Sequence, residues 1–289
     1  MRSIRGAVAV VTGAGSGIGR AVAQELAAGG SELALADLSE TALAETAALI
    51  GSSVRVTTRR VDVSKIDEMT AFRDAVASDF GRASIVVNNA GVALYGTAEE
   101  VSQRDLEWIM AINFWGPVYG STLFMPMLRA EPEANLVNVS SIFGVIAPPL
   151  QTGYSASKFA IRGYSESLRH ELGATGVRVT VVHPGGVKTN IAATSRKGEL
   201  ADAERHQRDS KHFERSLVKS PAAAARDIVR GILTDKPRVL IGNDARLIDL
   251  TQRFFPSQYM KLLQPLLDPK GRFARTPQPR DERAAVAAR

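Results

Sequence analysis

A single α/β domain, with a parallel sheet wound in both directions and a helical appendix at its end, is the fold class this chain predicts. Three observations predict it. An apolar β-branched run opens into four alternating glycines and then into a helical pattern, the way a strand hands over to a helix in such sheets. Short apolar runs of strand length then alternate with longer helical stretches as far as Ile241. Finally, 289 residues with 45% hydrophobic content are long for one domain and short for two.

Ala7 to Thr12 reads as the first strand and Ile18 to Ala28 as the first helix. Between them runs T-G-x-x-x-G-x-G, from Thr12 and Gly13 through Gly15, Ser16, Gly17 and Ile18 to Gly19. A plain tight turn needs fewer glycines, whereas backbone N–H groups at a helix start, left open by missing side chains, suit a pyrophosphate. The second strand, Glu32 to Ala36, ends at Asp37, eighteen residues after Gly19, where a carboxylate can reach the ribose hydroxyls of an adenosine. Each charge of a 2′-phosphate about 5 Å away would cost roughly 3 kcal/mol at an effective dielectric of about 20, which favours NAD over NADP. Capping the helix that begins near Ser39 is the other use open to Asp37.

Val54 to Val61 is the third strand, and Asp62 and Val63 follow it before a helix from about Ser64 to Phe80. A carboxylate with an apolar neighbour suits an adenine; equally, Asp62 can satisfy backbone donors of its own loop. Ser84 to Val87 opens into Asn88, Asn89, Ala90 and Gly91, where amides beside small residues allow close backbone approach to a ligand and also suit an ordinary turn. A long helix, about Ser102 to Leu128, contains Asn113, Gly116 and Pro117, all poor interior residues, so a local break is expected at Asn113. Such a break either exposes a carbonyl able to hold a water or is a plain kink, the reading to prefer if the segment is taken without the other motifs.

The next stretch, NVSSIFGVIAPPLQTGYSASK from Asn138 to Lys158, organises the rest. A strand, Asn135 to Val139, ends in a serine pair; a loop with Pro148 and Pro149 leads to a helix, Tyr154 to Leu172. Residues four apart on a helix share a face, so the Tyr154 phenol and the Lys158 ammonium can enter one site, and Ser141 can meet them there. A phenol of pKa about 10 is a poor base at neutral pH. A cation about 4 Å away, at a dielectric of about 20, is worth roughly 4 kcal/mol, or three pKa units, with desolvation opposing it. Tyr154 then serves as general acid/base for an alcohol or carbonyl oxygen that Ser141 holds. Alone, a tyrosine and a lysine four apart read as two surface residues of an amphipathic helix; only the other motifs change that.

Gly173 and Gly176 close the helix, and Val177 to Val182 is a sixth strand running into His183, Pro184, Gly185, Gly186, Val187, Lys188 and Thr189. Thr189 either binds a carboxamide or caps the next helix. Residues 192–219 are charged and glycine-poor and read as a mobile cover; His206 and His212, six apart, fall on different helix faces, so no metal site is expected. Pro221 to Leu233 is a helix and Arg238 to Ile241 the last strand. In 243–268 an apolar segment follows, with Phe254, Phe255, Tyr259, Met260, Leu262, Leu263, Leu266 and Leu267 expected to be buried. A lid on the substrate pocket is the favoured place, ahead of a subunit interface or a membrane surface. Residues 269–289 read as a disordered basic tail.

Composition removes several function classes. The net charge is +6, but six Lys/Arg against Asp281 and Glu282 put +4 of it in 269–289 and leave about +2 on the body, so a nucleic-acid partner is not expected. Absence of cysteine excludes disulfides, thiolate metal sites and a cysteine nucleophile. The early apolar run, Ala7 to Val11, has strand rather than signal-peptide length, and no stretch approaches the ~18 residues of a membrane span. A soluble, cytoplasmic protein is expected.

Taken together, the glycine loop, Asn88 to Gly91, Asn113, Ser141, Tyr154 and Lys158 resemble, in order and spacing, the short-chain dehydrogenase/reductase (SDR) family over roughly Gly6 to Ile241. The resemblance implies a Rossmann-type fold and a secondary alcohol/ketone oxidoreductase using NAD. By it, Ser141 rather than Ser140 is catalytic, Lys158 grips the nicotinamide ribose, Asn113 holds a water in a proton relay, and Thr189 contacts the carboxamide. Helix faces bearing Asn113 and Tyr154 would make a homodimer or homotetramer. The string RVLIGNDARLIDL is similar to that of longer members acting on lipophilic alcohols and ketones. Two other readings stand beside this one: an NADP-dependent carbonyl reductase, disfavoured by Asp37 and the uncharged Ser16, and a non-catalytic dinucleotide sensor, which would have no need of the four catalytic side chains.

Overall fold

The computed structural model describes residues 1 and 3–267 of the chain. They fall into two units, residues 1–249 and the part from Leu250 onward. In the first, strands β1 (Val8–Thr12), β2 (Glu32–Asp37), β3 (Val56–Arg60), β4 (Ile85–Asn88), β6 (Ala134–Val139), β7 (Val177–Pro184) and β9 (Arg238–Ile241) form one sheet. Its order is β3-β2-β1-β4-β6-β7-β9 and every pairing is parallel. Parallel strands need crossovers, and these put helices on both faces, so the central strands are buried on both sides and read as continuous apolar runs. In β1, Ala9 and Val11 face a core with Val22 and Leu26 of α1 (Gly17–Ala28) and Ile228 and Ile232 of α8 (Pro221–Leu233). Val10 faces the opposite core, with Met69 and Phe72 of α3 (Ile66–Phe80) and Phe124 and Leu128 of α5 (Gly116–Ala130). The strand order reverses between β1 and β4, and a crevice at their carboxyl ends is where such sheets bind ligands.

Chain order and element types follow the expectations closely, with instructive differences. The third strand is shorter than Val54 to Val61 because β3 is the sheet's outer edge, paired on one side only. The long helix is α4 (Gln103–Met110), a π-turn over Ala111–Trp115, and then α5. A capping box of Ser102 and Asp105 starts α4. A two-stranded ladder of β5 (Leu94–Tyr95) and β8 (Arg196–Lys197) was not foreseen, since two-residue strands show no periodicity.

That small ladder ties 192–219 to the segment that follows β4. Two of its arginines pair with the preceding segment: Arg196 with Asp105 at 3.0 Å, and Arg205, in α7 (Ala203–Ser216), with both oxygens of Glu100, at 2.5 and 2.6 Å. Tyr95 donates to Asp209 at 2.7 Å, and Ser195 meets His206 Nε2 at 2.7 Å. Charge in this stretch marks anchorage to the loop after β4.

In the second unit, the end of α9 (Asn243–Phe254) is followed by α10 (Tyr259–Leu267). Leu263 is buried, whereas Phe254, Phe255, Leu262 and Leu266 are exposed in the single chain. The tail expected over 269–289 lies outside the described residues. No helix among those described is long and apolar enough to cross a membrane.

Candidate active site

At the reversal point the glycine loop and the end of β4 are sewn together. Thr12 Oγ1 accepts from the N–H groups of Asn89 and Ala90 at 3.1 and 3.2 Å, and Asn89 Nδ2 donates to the carbonyls of Thr12 and Gly13, both at 3.1 Å. Thr12 and Asn89 therefore shape the crevice with their side chains. The fit leaves no room for a methyl: a Cβ on Gly19 would stand 2.0 Å from the Gly13 oxygen, and one on Gly13 2.8 Å from Ala90 Cα. Gly17 adopts φ +54° beside Thr189, whose Cγ2 would lie 3.2 Å from an added Cβ, so the first and last predicted cofactor segments meet. The Ser16 side chain makes no cap on α1, which leaves the first turn open.

Asp37 accepts from Gly15 N at 2.9 Å with one carboxylate oxygen and from Ser39 N at 3.0 Å with the other. The cap of α2 (Glu40–Ile50) is Ser39, which accepts from Ala42 N, so Asp37 is anchored over the glycine loop instead. Asp62 accepts from the N–H and hydroxyl of Ser64 at 2.9 and 2.7 Å, the loop role left open for it. Val63 is buried in the core beside Gly116, so its side chain belongs to helix packing. Ile18 packs on the core against α1's own face, Gly91 lies between Asn113 and Lys158, and Val187 is buried behind Pro184 and Gly185. Asp244, unremarked in the sequence, accepts from Gly186 N at 2.7 Å and holds that turn.

The four predicted catalytic residues converge. Tyr154 and Lys158 project from α6 (Thr152–Glu171), Ser141 from the end of β6, and Asn113 from the π-turn. The Ser141 hydroxyl bonds the Tyr154 phenol and accepts from Phe143 N at 3.1 Å. Ser140 instead donates to the Lys158 carbonyl at 2.7 Å, a structural use that leaves Ser141 to face the site. The Lys158 ammonium donates to the Val139 carbonyl at 3.2 Å and stands 5.7 Å from the Tyr154 ring centroid. Asn113 exchanges bonds with the backbone of Val92, both at 2.9 Å, and donates to Ser157 Oγ at 3.0 Å, so its side chain locks the π-turn in place. Ser157, which in turn donates to the Tyr154 carbonyl at 2.8 Å, went unnoticed because a lone small residue beside a lysine carries no pattern.

Burial decides the protonation states here. It raises the Tyr154 phenol above its ordinary value, with the Ser141 hydroxyl opposing, and it lowers Lys158 to about 8. The expected lowering of the phenol by the ammonium does not appear: burial raises the phenol and the Ser141 hydroxyl alone opposes it, while Lys158 bonds to Val139 and stands 5.7 Å from the ring centroid. Beyond Tyr154 the wall is apolar: Phe143 meets its ring edge-on at 6.1 Å between centroids, and Phe213 of α7 lies 6.2 Å from Phe143. Among the described residues no cluster of His, Asp and Glu could hold a metal ion.

The sequence pattern of short chain dehydrogenases matches residues 7–200. Over 267 residues the chain is 41% identical to SadH of Mycobacterium tuberculosis, named as an oxidoreductase, covering 91% of this chain and 96% of that protein. A crystal structure of a short chain dehydrogenase/reductase from Burkholderia phymatum in complex with NAD is similar with a TM-score of 0.81 and 30% identity, over 88% of this chain and 95% of that one. An alcohol dehydrogenase from Thermococcus sibiricus, complexed with 5-hydroxy-NADP, gives a TM-score of 0.68 and 26% identity, over 82% of this chain and 94% of that one.

Proposed function

The chain belongs to the short-chain dehydrogenase family and is an oxidoreductase, and on that premise we propose that it interconverts secondary alcohols and ketones with NAD, using Tyr154 as the general acid/base. The observation that carries this is the buried contact of the Ser141 hydroxyl with the Tyr154 phenol, with the Lys158 ammonium over the same ring. The cradle that a Cβ on Gly13 or Gly19 would fill fits a dinucleotide pyrophosphate at the start of α1. When bound, the nicotinamide accepts or supplies the hydride. Ser141 holds the substrate oxygen, and the Tyr154 hydroxyl gives that oxygen a proton in reduction or takes one in oxidation. Lys158 orients the ribose, and the carbonyls exposed by the π-turn hold the water through which its proton is replenished.

Three features favour NAD over NADP. Asp37 is fixed over Gly15 by a 2.9 Å bond, and in this reading its charge would repel a 2′-phosphate on the adenosine ribose. Arg20 is paired with Glu45 at 2.8 Å, and Arg60 with Glu68 at 3.5 Å. Phe143 and Phe213 make the wall beyond Tyr154 suitable for a lipophilic substrate. Exposed Trp115 and Phe159, on the elements that bear Asn113 and Tyr154, support a homo-oligomer.

The test is a panel of short- and long-chain secondary alcohols with NAD, followed by nicotinamide absorbance. Turnover that favours the longer alcohols and disappears in Tyr154→Phe, with cofactor affinity nearly unchanged, is expected. Activity retained by that variant refutes the proton-transfer role, and tighter calorimetric binding of NADPH than of NADH refutes the cofactor assignment.

A further inference from the structure

His183 is fully buried at the end of β7, next to the Pro184 turn, and nothing in the proton path described above uses it. Its Nδ1 lies 2.9 Å from the Ser141 carbonyl oxygen. A carbonyl only accepts, so Nδ1 carries the proton. Its Nε2 is buried with no hydrogen-bond partner among the described residues. A charged ring would leave a second N–H unmatched there, and burial together with Arg238 and Arg162, only partly offset by the Ser141 carbonyl and Glu166, lowers the imidazole to about 4. The ring is therefore neutral, with one tautomer, throughout the working pH range.

What this bond secures follows from how β6 ends. Ser140 N still pairs with the Val182 carbonyl at 2.8 Å, but Pro184 brings no N–H with which β7 could extend the ladder. Past that point the Ser141 carbonyl is held from two sides, by Gly144 N at 2.9 Å, which closes a short 3-10 turn, and by His183. Two donors on one oxygen fix the peptide plane and with it the Cα–Cβ direction, from which the Ser141 hydroxyl, held by the bond it accepts from Phe143 N, reaches the site. We propose that His183 is a positioning residue for Ser141, clamping its carbonyl so that its hydroxyl stays aimed at the Tyr154 phenol and the substrate oxygen. This rests on the alcohol/ketone reading of the site.

Two substitutions and one spectrum test it. His183→Asn keeps an N–H near the place of Nδ1, whereas His183→Leu has similar bulk and no donor. Expected are kcat within about 3-fold of wild type for Asn, and a fall of about 10- to 100-fold for Leu with KM and the Kd for NADH within about 2-fold. Equal kcat in wild type and His183→Leu, or loss in both variants alike, overturns the proposal. Should the Leu variant not fold, the nitrogen-15 spectrum of the wild-type imidazole decides: Nδ1 protonated and Nε2 bare from pH 5.5 to 8 supports the clamp, and the opposite tautomer or a charged ring overturns it. That spectrum stands apart from turnover, so wild-type protein inactive on every alcohol would refute the functional reading while the contact is still judged by its own signal.

Discussion

Burying the Lys158 ammonium against β6 works against the fold. A lysine lowered from 10.5 to about 8 carries about 3 kcal/mol of destabilisation at pH 7, because the folded state binds its proton more weakly than the unfolded chain does. Between pH 8 and 10.5 the unfolded chain keeps a proton that the fold has released, so stability rises with pH across that window. Lys158→Met removes the charge and leaves the Val139 carbonyl without its donor, which costs about 1 kcal/mol. The variant is therefore expected to be about 2 kcal/mol more stable at pH 7 and inactive, with its advantage vanishing towards pH 10.5; urea unfolding at several pH values checks both. Tyr154 gives a second pH prediction. A phenol raised by burial is ready to donate, so ketone reduction should change little from pH 6 to 8 while alcohol oxidation climbs with pH. Initial rates in both directions test this, and an oxidation rate that falls with pH counts against Tyr154 as the base.

Two elements hold the site in shape, and each makes its own prediction. The glycine turn before α1 has a backbone oxygen 2.0 Å from any Cβ on Gly19, and backbone gives way less readily than a flexible side chain. Gly19→Ala should lower stability by about 1–3 kcal/mol and abolish NADH binding, measured by thermal melting and calorimetry. Residues 192–219, proposed as a cover on the substrate pocket, are tied down by the largely buried pair of Arg205 and Glu100. Arg205→Met leaves Glu100 unpaired at a cost of about 3–5 kcal/mol, so the cover detaches locally. KM for the alcohol should then rise at least 10-fold while NADH affinity stays nearly unchanged; a matching loss of both would mean that the cover also serves the cofactor.

On the scale of the whole molecule, the proposed homo-oligomer makes a prediction about two exposed aromatic side chains. Trp115 is 47% exposed although it sits in the π-turn with Asn113, and Phe159, 39% exposed, follows Lys158 on α6. A large aromatic on the outer side of a catalytic element is expected to be covered by a second subunit. If the proposed homo-oligomer is right, Trp115→Glu combined with Phe159→Glu should yield monomers in analytical ultracentrifugation, with loss of turnover because the π-turn loses its outer support. A wild-type protein that sediments as a monomer removes this interface. Cofactor choice is also set across elements: Asp37→Ala frees Gly15 N and removes a repulsive charge, so the ratio of NADPH to NADH dissociation constants should narrow by about 10-fold or more.

The sequence by itself determined the chain order of the main strands and helices, the glycine turn and the break at Asn113, because each depends on spacing along one segment, and the four residues proposed as catalytic were named from their order along the chain together with the family resemblance. Periodicity placed Tyr154 and Lys158 on one face, and four glycines in eight residues announced a close backbone approach. Only the tertiary structure decided which side chain does what across segments. Thr12 and Asn89 turned out to stitch two loops, Ser157 to hold Asn113, Asp244 to fix the Gly186 turn and His183 to grip Ser141. None of these partners is near in sequence: the separation runs from 42 residues for His183 and Ser141 to 77 for Asn89 and Thr12. The balance at Tyr154 was likewise settled by packing, since a pKa depends on how completely water is excluded and on where the neighbouring charge is held, and both are properties of the folded core.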